Sequence, residues 1–168
     1  MKIDNIEDFL KYYQKIRSRT LNVIKCIPRD KIEWTYKEGR FTFGDLIRHL
    51  ATIERYMYAE NAQFKPSSYP GCGKELAEGY DATMKFLDDK HQESLEIFSK
   101  LSADDLNQKC VTPGGIPITL WKWLRAMVEH EVHHRGQFYI YLGILGIEVP
   151  PIYGLTSEEV LERSRKND

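Results

Sequence analysis

The chain of 168 residues is long enough for one domain with a hydrophobic core and short for two, so we treat residues 1–168 as a single domain. Charged residues make up 29% of the sequence, but the formal net charge is −1, which gives no general attraction to nucleic acid or to anionic membranes. The N-terminus is acidic, unlike a signal peptide, and no apolar run is long enough to span a membrane. The 3 cysteines are scattered, which argues against a disulfide framework. Together these features predict a cytoplasmic protein.

The first predicted helix covers about residues 6–26, where apolar side chains recur at helical spacing. Asp4 followed three residues later by Glu7 resembles a capping box at its start. Pro28 ends the helix because proline cannot donate the next backbone hydrogen bond. Residues 28–40 are then expected to form a crossover loop.

The second predicted helix opens at Thr42, with Asp45 three residues on as its capping partner. Its apolar residues form one stripe: Phe43, Leu46, Ile47, Leu50, Ile53 and Met57. His49 falls within this stripe, so its side chain is expected to face the interior of the protein. A loop rich in proline and glycine follows at residues 66–73.

The second half of the chain predicts two further long helices. One covers about residues 75–100, and the other runs from 119 or 120 to 145 with Gly146 as its C-terminal stop. Between them, residues 110–119 predict a small hairpin around a Gly-Gly turn, and residues 157–163 a short final helix capped by Ser157. Four long helices predict an all-α fold, a four-helix bundle.

Histidines mark a candidate metal site on two of these helices. His130 and His134 are four residues apart, which places both imidazoles on one helix face within reach of one ion. Metal sites in bundles are built from side chains on facing helices, and His49 would meet this pair there. Three histidines with an open coordination position commonly hold a catalytic divalent metal.

Alternative interpretations of the same residues remain open. A single histidine on an apolar stripe is more often a hydrogen-bonded core residue than a ligand. The segment also matches the His-Glu-x-x-His signature of zinc proteases, which would require Glu158 or Glu159 as the third ligand. His133 is expected at the rim of the site, and His91, among charged neighbours, is expected to be solvated.

Three neighbours of the histidine pair are candidates for supporting roles. Glu131 could act as a general base, although a residue next to a ligand need not face the metal. Arg135 is either a surface charge or a binding group for an anionic substrate at the mouth of the site. Arg48, beside His49, could also supply positive charge at the mouth. Gln137, three residues after His134, could support that ligand or have no role.

The chain resembles the DinB-like (YfiT-like) metalloenzyme superfamily over nearly its whole length. The resemblance is carried by DLIRHLA at residues 45–51, HEVHHRGQ at 130–137, LGILG at 142–146 and PPIYG at 150–154. It implies a four-helix bundle with a long crossover connection and, frequently, a homodimer. It also implies one divalent ion, zinc or nickel, held by His49, His130 and His134. Members with known reactions include S-transferases and an isomerase that use small thiols such as bacillithiol or mycothiol.

These observations favour a metal-dependent enzyme that acts on a small molecule. In the preferred hypothesis the metal stabilises the thiolate of a small thiol, which attacks an electrophile. In the alternative, a hydrolase, the metal lowers the pKa of a bound water and delivers hydroxide. A third possibility is a dimeric scaffold without catalysis, whose metal site would be closed and lack a pocket above it.

Overall fold

The chain folds as a four-helix bundle with one small hairpin, and the computed structural model describes residues 2–165. The helices are α1 (Ile6–Ile24), α2 (Phe43–Ile53), α3 (Ala59–Ala62), α4 (Tyr80–Phe98), α5 (Ala103–Asn107), α6 (Leu120–Ile144) and α7 (Ser157–Arg165). The strands are β1 (Lys109–Val111) and β2 (Pro117–Thr119), which pair antiparallel. The all-α fold class predicted from the sequence is confirmed.

The crossover connection follows from how the four long helices pack. Helix α1 packs mainly against α6 and α4, and α2 packs mainly against the same two helices. The consecutive helices α1 and α2 therefore occupy diagonal corners of the bundle, and residues 25–42 cross between them. Trp34 anchors this crossover against Phe43 and Tyr141, with ring centroids 5.7 and 5.9 Å away.

Helix α2 begins at the predicted capping box: the Thr42 hydroxyl accepts from Asp45 N–H, and the Asp45 carboxylate accepts from Thr42 N–H. The box predicted for α1 was wrong. The first helical residue is Ile6, so the extended residue before it, Asn5, supplies the cap and accepts from Asp8 N–H.

The last two helices also differ slightly from prediction at their starts. Thr156, rather than Ser157, caps α7, since its hydroxyl accepts from Glu159 N–H. Helix α4 starts at Tyr80, later than predicted, because Gly79 precedes it in a left-handed conformation with φ of 80°. Gly146, with φ of 69°, ends α6 as predicted.

Helix α2 continues into α3 through a π-helical turn, Glu54–Tyr58. A wider turn of this kind often accompanies a functional site. Here the Tyr56 carbonyl accepts hydrogen bonds from Ser68 N–H and the Ser67 hydroxyl, which fixes the loop that follows α3. The turn therefore positions both its own side chains and that loop.

The apolar core is divided into two clusters along the bundle. One cluster includes Phe9, Tyr13, Tyr58 and Leu124, and the other is built around Phe43 and residues from α1, α4 and α6. A layer of buried polar side chains, contributed by each long helix or its extension, separates the two clusters. None of the described helices is both long and apolar enough to cross a membrane.

Candidate metal centre

His49 from α2 and His130 and His134 from α6 converge as their helical positions predict. The Nε2 atom of His130 lies 3.1 Å from His49 Nε2 and 3.0 Å from His134 Nε2. Potential ligand atoms of all three residues lie within 4.8 Å of one another, and these three side chains could hold a metal ion. His134 is buried, whereas His49 and His130 are partly exposed.

The donor set suits a divalent metal such as zinc or nickel. Nitrogens 3.0–3.1 Å apart can both lie at the bond length of about 2.0–2.1 Å that zinc makes to imidazole. Burial, with a smaller contribution from His134, lowers the pKa of His49 to about 4, and burial lowers that of His130 to about 3. Burial also lowers the pKa of His134. All three imidazoles are therefore neutral near pH 7, the state that binds a metal.

The second ring nitrogen of two imidazoles has a hydrogen-bond partner. His134 Nδ1 lies 2.6 Å from Gln137 Oε1, so Nδ1–H donates and the lone pair of Nε2 is left for the cluster. His49 Nδ1 lies 2.9 Å from the hydroxyl of Tyr69, a residue of the loop after α3. Of the two possibilities left open for Gln137, its contact with His134 favours support of that ligand. The contact of His49 with Tyr69 was missed, because loop residues carry no periodicity that could place them.

The other candidate ligands lie apart from this cluster. His133 is exposed, as expected for a rim residue. Glu158 and Glu159 are exposed on α7. Among the described residues, the third potential ligand grouped with His130 and His134 is His49 and not either glutamate. The arrangement therefore favours three histidines over the protease pattern.

The prediction that His91 is solvated was wrong. The residue is 6% exposed, and its Nδ1 lies 2.8 Å from Glu54 Oε1. Helical phase explains this position, because His91 follows the buried Leu87 by four residues and precedes the buried Ser94 by three. The charged residues beside it in the sequence point to solvent from the other faces of α4.

Glu131 and Arg135 are both buried, at 1% and 5% exposure. Glu131 Oε2 lies 3.0 Å from Arg17 Nη2, inside the bundle. The interpretation of Arg135 as a surface charge is wrong, since the residue is buried. Its Nη1 is buried without a hydrogen-bond partner among the described atoms. The base and substrate-binding roles of these two residues stay predictions.

The suggestion that Arg48 supplies charge at the mouth is not supported by its surroundings. Arg48 is fully buried, and its guanidinium binds the carboxylates of Glu33 and Asp45 at 2.8 Å. It also donates to the carbonyls of Cys72 and Ala77. Arg48 therefore anchors the crossover and the loop before α4 to the start of α2.

A buried polar layer, which was not predicted from the sequence, crosses the bundle beside His130. It contains one or two residues from each long helix or its extension: Tyr13, Arg17, Glu54, His91 and Glu131. Arg17 Nη2 contacts Glu54 Oε2 at 2.5 Å and the Tyr13 hydroxyl at 2.9 Å. Burial opposes charge on Arg17, but the carboxylates of Glu131 and Glu54 more than offset it, so the pKa of Arg17 is raised. The sequence signal for this layer was the spacing of Tyr13 and Arg17, which lie one helical turn apart.

A cleft of about 650 Å³ lies between the loop after α3 and the hairpin, and none of the three histidines lines it. Residues 64–69 form one wall, and β1 with the hairpin turn forms the other. Tyr69 belongs to the cleft and contacts His49, so it connects the cleft to the histidines. The loop after α3 and the turn of the hairpin therefore face each other across this cleft.

Fold and site together define a helical-bundle protein with a three-histidine cluster on two facing helices. A sequence model of the DinB superfamily matches residues 12–138, and the chain belongs to this superfamily. The resemblance noted in the sequence is thereby confirmed. A comparison with proteins of curated function found no significant match.

Solved structures with the same fold include two Bacillus proteins. A DinB-like protein from Bacillus cereus is 18% identical, with a TM-score of 0.69 over 88% of this chain and 97% of that one. The DinB-like protein YjoA from Bacillus subtilis is 17% identical, with a TM-score of 0.70 over 86% and 97%. TT2238, described as a four-helix bundle protein, is 19% identical, with a TM-score of 0.63 over 81% and 99%. At this identity the likeness concerns the fold.

Proposed function

We propose that the protein binds one divalent ion, zinc or nickel, through His49, His130 and His134 and uses it to transform a small molecule. The convergence of three neutral imidazoles carries this proposal: His130 Nε2 lies 3.1 Å from His49 Nε2 and 3.0 Å from His134 Nε2, and ligand atoms of all three lie within 4.8 Å of one another. Three protein ligands leave at least one coordination position for a substrate. Gln137 holds His134 in the tautomer that can bind the ion.

Thiol-dependent group transfer is the chemistry we favour. A bound divalent ion would supply Lewis acidity that lowers the pKa of a small thiol, such as bacillithiol, and stabilises its thiolate. The chain contributes partly buried, uncharged ligands, and Tyr69 links His49 to a cleft that can take a small molecule. A cleft of about 650 Å³ suits a small substrate better than a polypeptide.

A metal-dependent hydrolase is the second candidate. It would need a general base near the attacking water. The residue predicted for that role, Glu131, contacts Arg17 inside the bundle, which supports the transferase over the hydrolase. The scaffold hypothesis expects a closed site without a pocket, whereas Tyr69, which contacts His49, lines a cleft.

A homodimer in the cytoplasm is part of the proposal. Helix α6 carries exposed apolar residues two turns and then one turn apart, with Val132 40%, Ile140 63% and Ile144 56% exposed. A stripe of this kind on one helix face suits contact with a second copy. The 3 cysteines are free, which fits a reducing compartment. Sedimentation of the wild type and of Ile140→Glu tests the dimer, and a monomeric wild type would contradict it.

Elemental analysis of protein purified without an affinity tag or chelator tests the metal site. Wild type should carry one divalent ion per chain, while His49→Ala, His130→Ala and His134→Ala should lose it. His133→Ala is the matched control, because this exposed histidine lies next to a ligand in the sequence. Full metal retention in the three alanine variants would refute the site.

The thiol step has its own measurement. Bacillithiol added to cobalt-substituted protein should produce a thiolate-to-metal charge-transfer band, and the S-methylated thiol should not. If cobalt is bound and the free thiol gives no band, the hydrolase hypothesis is preferred.

A further inference from the structure

The cleft that Tyr69 links to His49 has the dimensions of a small-molecule site. Its volume of about 650 Å³ falls within the range of roughly 300–1,000 Å³ usual for such sites. Its walls combine apolar groups, among them Phe64 and Val111, with the hydroxyl-bearing residues Ser67 and Thr112. This mixture suits a ligand with an apolar body and a polar end.

The charge of the cleft is one-sided. Lys65 and Lys109 stand on opposite walls, the first in the loop after α3 and the second in β1. Among the described residues that line the cleft, none carries a carboxylate. The chain as a whole has a net charge of −1, so a lining with two cations and no anion differs from the average surface. Such a lining favours an anionic ligand.

The wall formed by residues 64–69 is held in place from within the protein. Phe64 has φ of 59°, a left-handed conformation that a bulky side chain adopts at a cost. It occupies the position after α3 that usually holds glycine, with Phe64 N–H bonded to Asn61 O and Lys65 N–H to Glu60 O. The Asn61 side chain is 1% exposed and donates to Lys65 O.

An exposed aromatic residue kept in a strained conformation points to a function for its side chain. Phe64 is 44% exposed and lines the cleft, so glycine would satisfy the backbone better and would lose only that side chain. Trp123 Nε1–H donates to Asn61 Oδ1, which ties this loop start to α6. The backbone that carries the aromatic ring is therefore fixed at the edge of the cleft.

We propose that this cleft binds a small carboxylate with an aromatic or aliphatic body, and that this molecule is the substrate presented to the three histidines. Lys65 and Lys109 bind the carboxylate, and Phe64 contacts the apolar body. Tyr69, whose hydroxyl lies 2.9 Å from His49 Nδ1, joins the cleft to the metal ligands. The identity of the ligand as a substrate rests on the proposed function, whereas carboxylate binding does not.

Titration calorimetry with 3-phenylpropionate tests the binding site, with the neutral 3-phenylpropionamide as the matched probe. Two lysines at an exposed site should make the acid bind about tenfold more tightly than the amide. Lys65→Gln/Lys109→Gln should abolish this difference. Lys85→Gln/Lys122→Gln removes two exposed lysines outside the cleft and should change the affinity by less than about twofold.

Phe64→Gly separates the role of the ring from a role in folding. Glycine adopts the observed backbone without strain, so the melting temperature should not fall, while the affinity for both probes should drop about threefold. If Phe64→Gly melts as the wild type does and binds each probe with the affinity of the wild type, the proposed role of Phe64 is overturned.

The experiment also distinguishes failure of the cleft from failure of the metal site. All titrations are repeated on His130→Ala, where the difference between acid and amide should persist because the lysines are unchanged. Equal binding of the two probes, or no effect of Lys65→Gln/Lys109→Gln, overturns the proposal whether or not metal is bound. A perturbed cobalt spectrum on binding of 3-phenylpropionate supports the connection to the histidines, and an unchanged spectrum overturns that connection alone.

Discussion

Replacing Arg17 by methionine measures how strongly charge holds the polar layer together. Arg17 is 3% exposed, and its Nη2 lies 2.5 Å from Glu54 Oε2 and 3.0 Å from Glu131 Oε2. The substitution keeps most of the side-chain length but leaves two buried carboxylates without this cation. Removing one partner of a buried ion pair costs about 3–5 kcal/mol. At about 2–4 °C per kcal/mol for a chain of this size, the melting temperature should fall by roughly 6–20 °C.

Guanidinium denaturation followed by circular dichroism gives the free energy of unfolding for wild type and Arg17→Met. Lys85→Met is the matched control, because Lys85 pairs with Asp89 at the surface, with 74% and 48% of the two side chains exposed. That exposed pair should contribute less than about 1 kcal/mol. The double variant Arg17→Met/Glu131→Gln should regain part of the loss, since it removes one stranded charge.

The reasoning fails if Arg17→Met loses no more stability than the surface control. It also fails if the double variant is as unstable as the sum of its two single variants, because partners in one network must show non-additive effects. In either case the contacts of Arg17 would contribute packing alone.

Other consequences concern the site and the end of α6. A divalent ion at about 100 times its dissociation constant should stabilise the protein by about 2.7 kcal/mol, which raises the melting temperature in scanning calorimetry by roughly 5–11 °C. Chelation should reverse this gain in the wild type and have no effect in His130→Ala. In metal-free protein, His49 and His130 have folded pKa values of about 4 and 3, below the ordinary 6.5. As the pH falls, these residues are therefore protonated at a higher pH in the unfolded chain than in the folded protein. The free energy of unfolding should therefore be retained above about pH 6.5 and decline toward pH 4, less steeply in His49→Ala. Gly146→Ala should cost about 1–2 kcal/mol in thermal denaturation, whereas Gly143→Ala, inside the helix with open space around it, should be neutral or stabilising.

The long helices and the histidine cluster could be predicted because both depend on helical periodicity. A residue in an apolar stripe faces the core whatever the rest of the protein does, and His49, His130 and His134 obey this rule. The expectation that these helices face each other came from the way bundles build metal sites and from the resemblance to the family. The periodicity alone would have left that pairing open.

The polar layer escaped prediction because it depends on contacts between helices. His91 was assigned to solvent from its charged neighbours, although its phase with Leu87 placed it inside. Arg17 lies one turn after Tyr13 and was passed over because an arginine on a buried face needs partners that are 37 residues or more away along the chain. A single sequence does not show that Glu54 and Glu131 supply them.

The position of this layer next to the histidines has a physical consequence for the site. On α6, Glu131 contacts Arg17 while the adjacent His130 faces His49, so the two contacts fix the rotation of the same helical turn from two sides. An apolar core tolerates small rotations, because hydrophobic side chains can repack with little loss of free energy. A buried charge has no such freedom, since any rotation that separates Glu131 from Arg17 leaves an uncompensated carboxylate in the interior. We infer that the layer holds α6 in the register at which the three imidazole nitrogens meet.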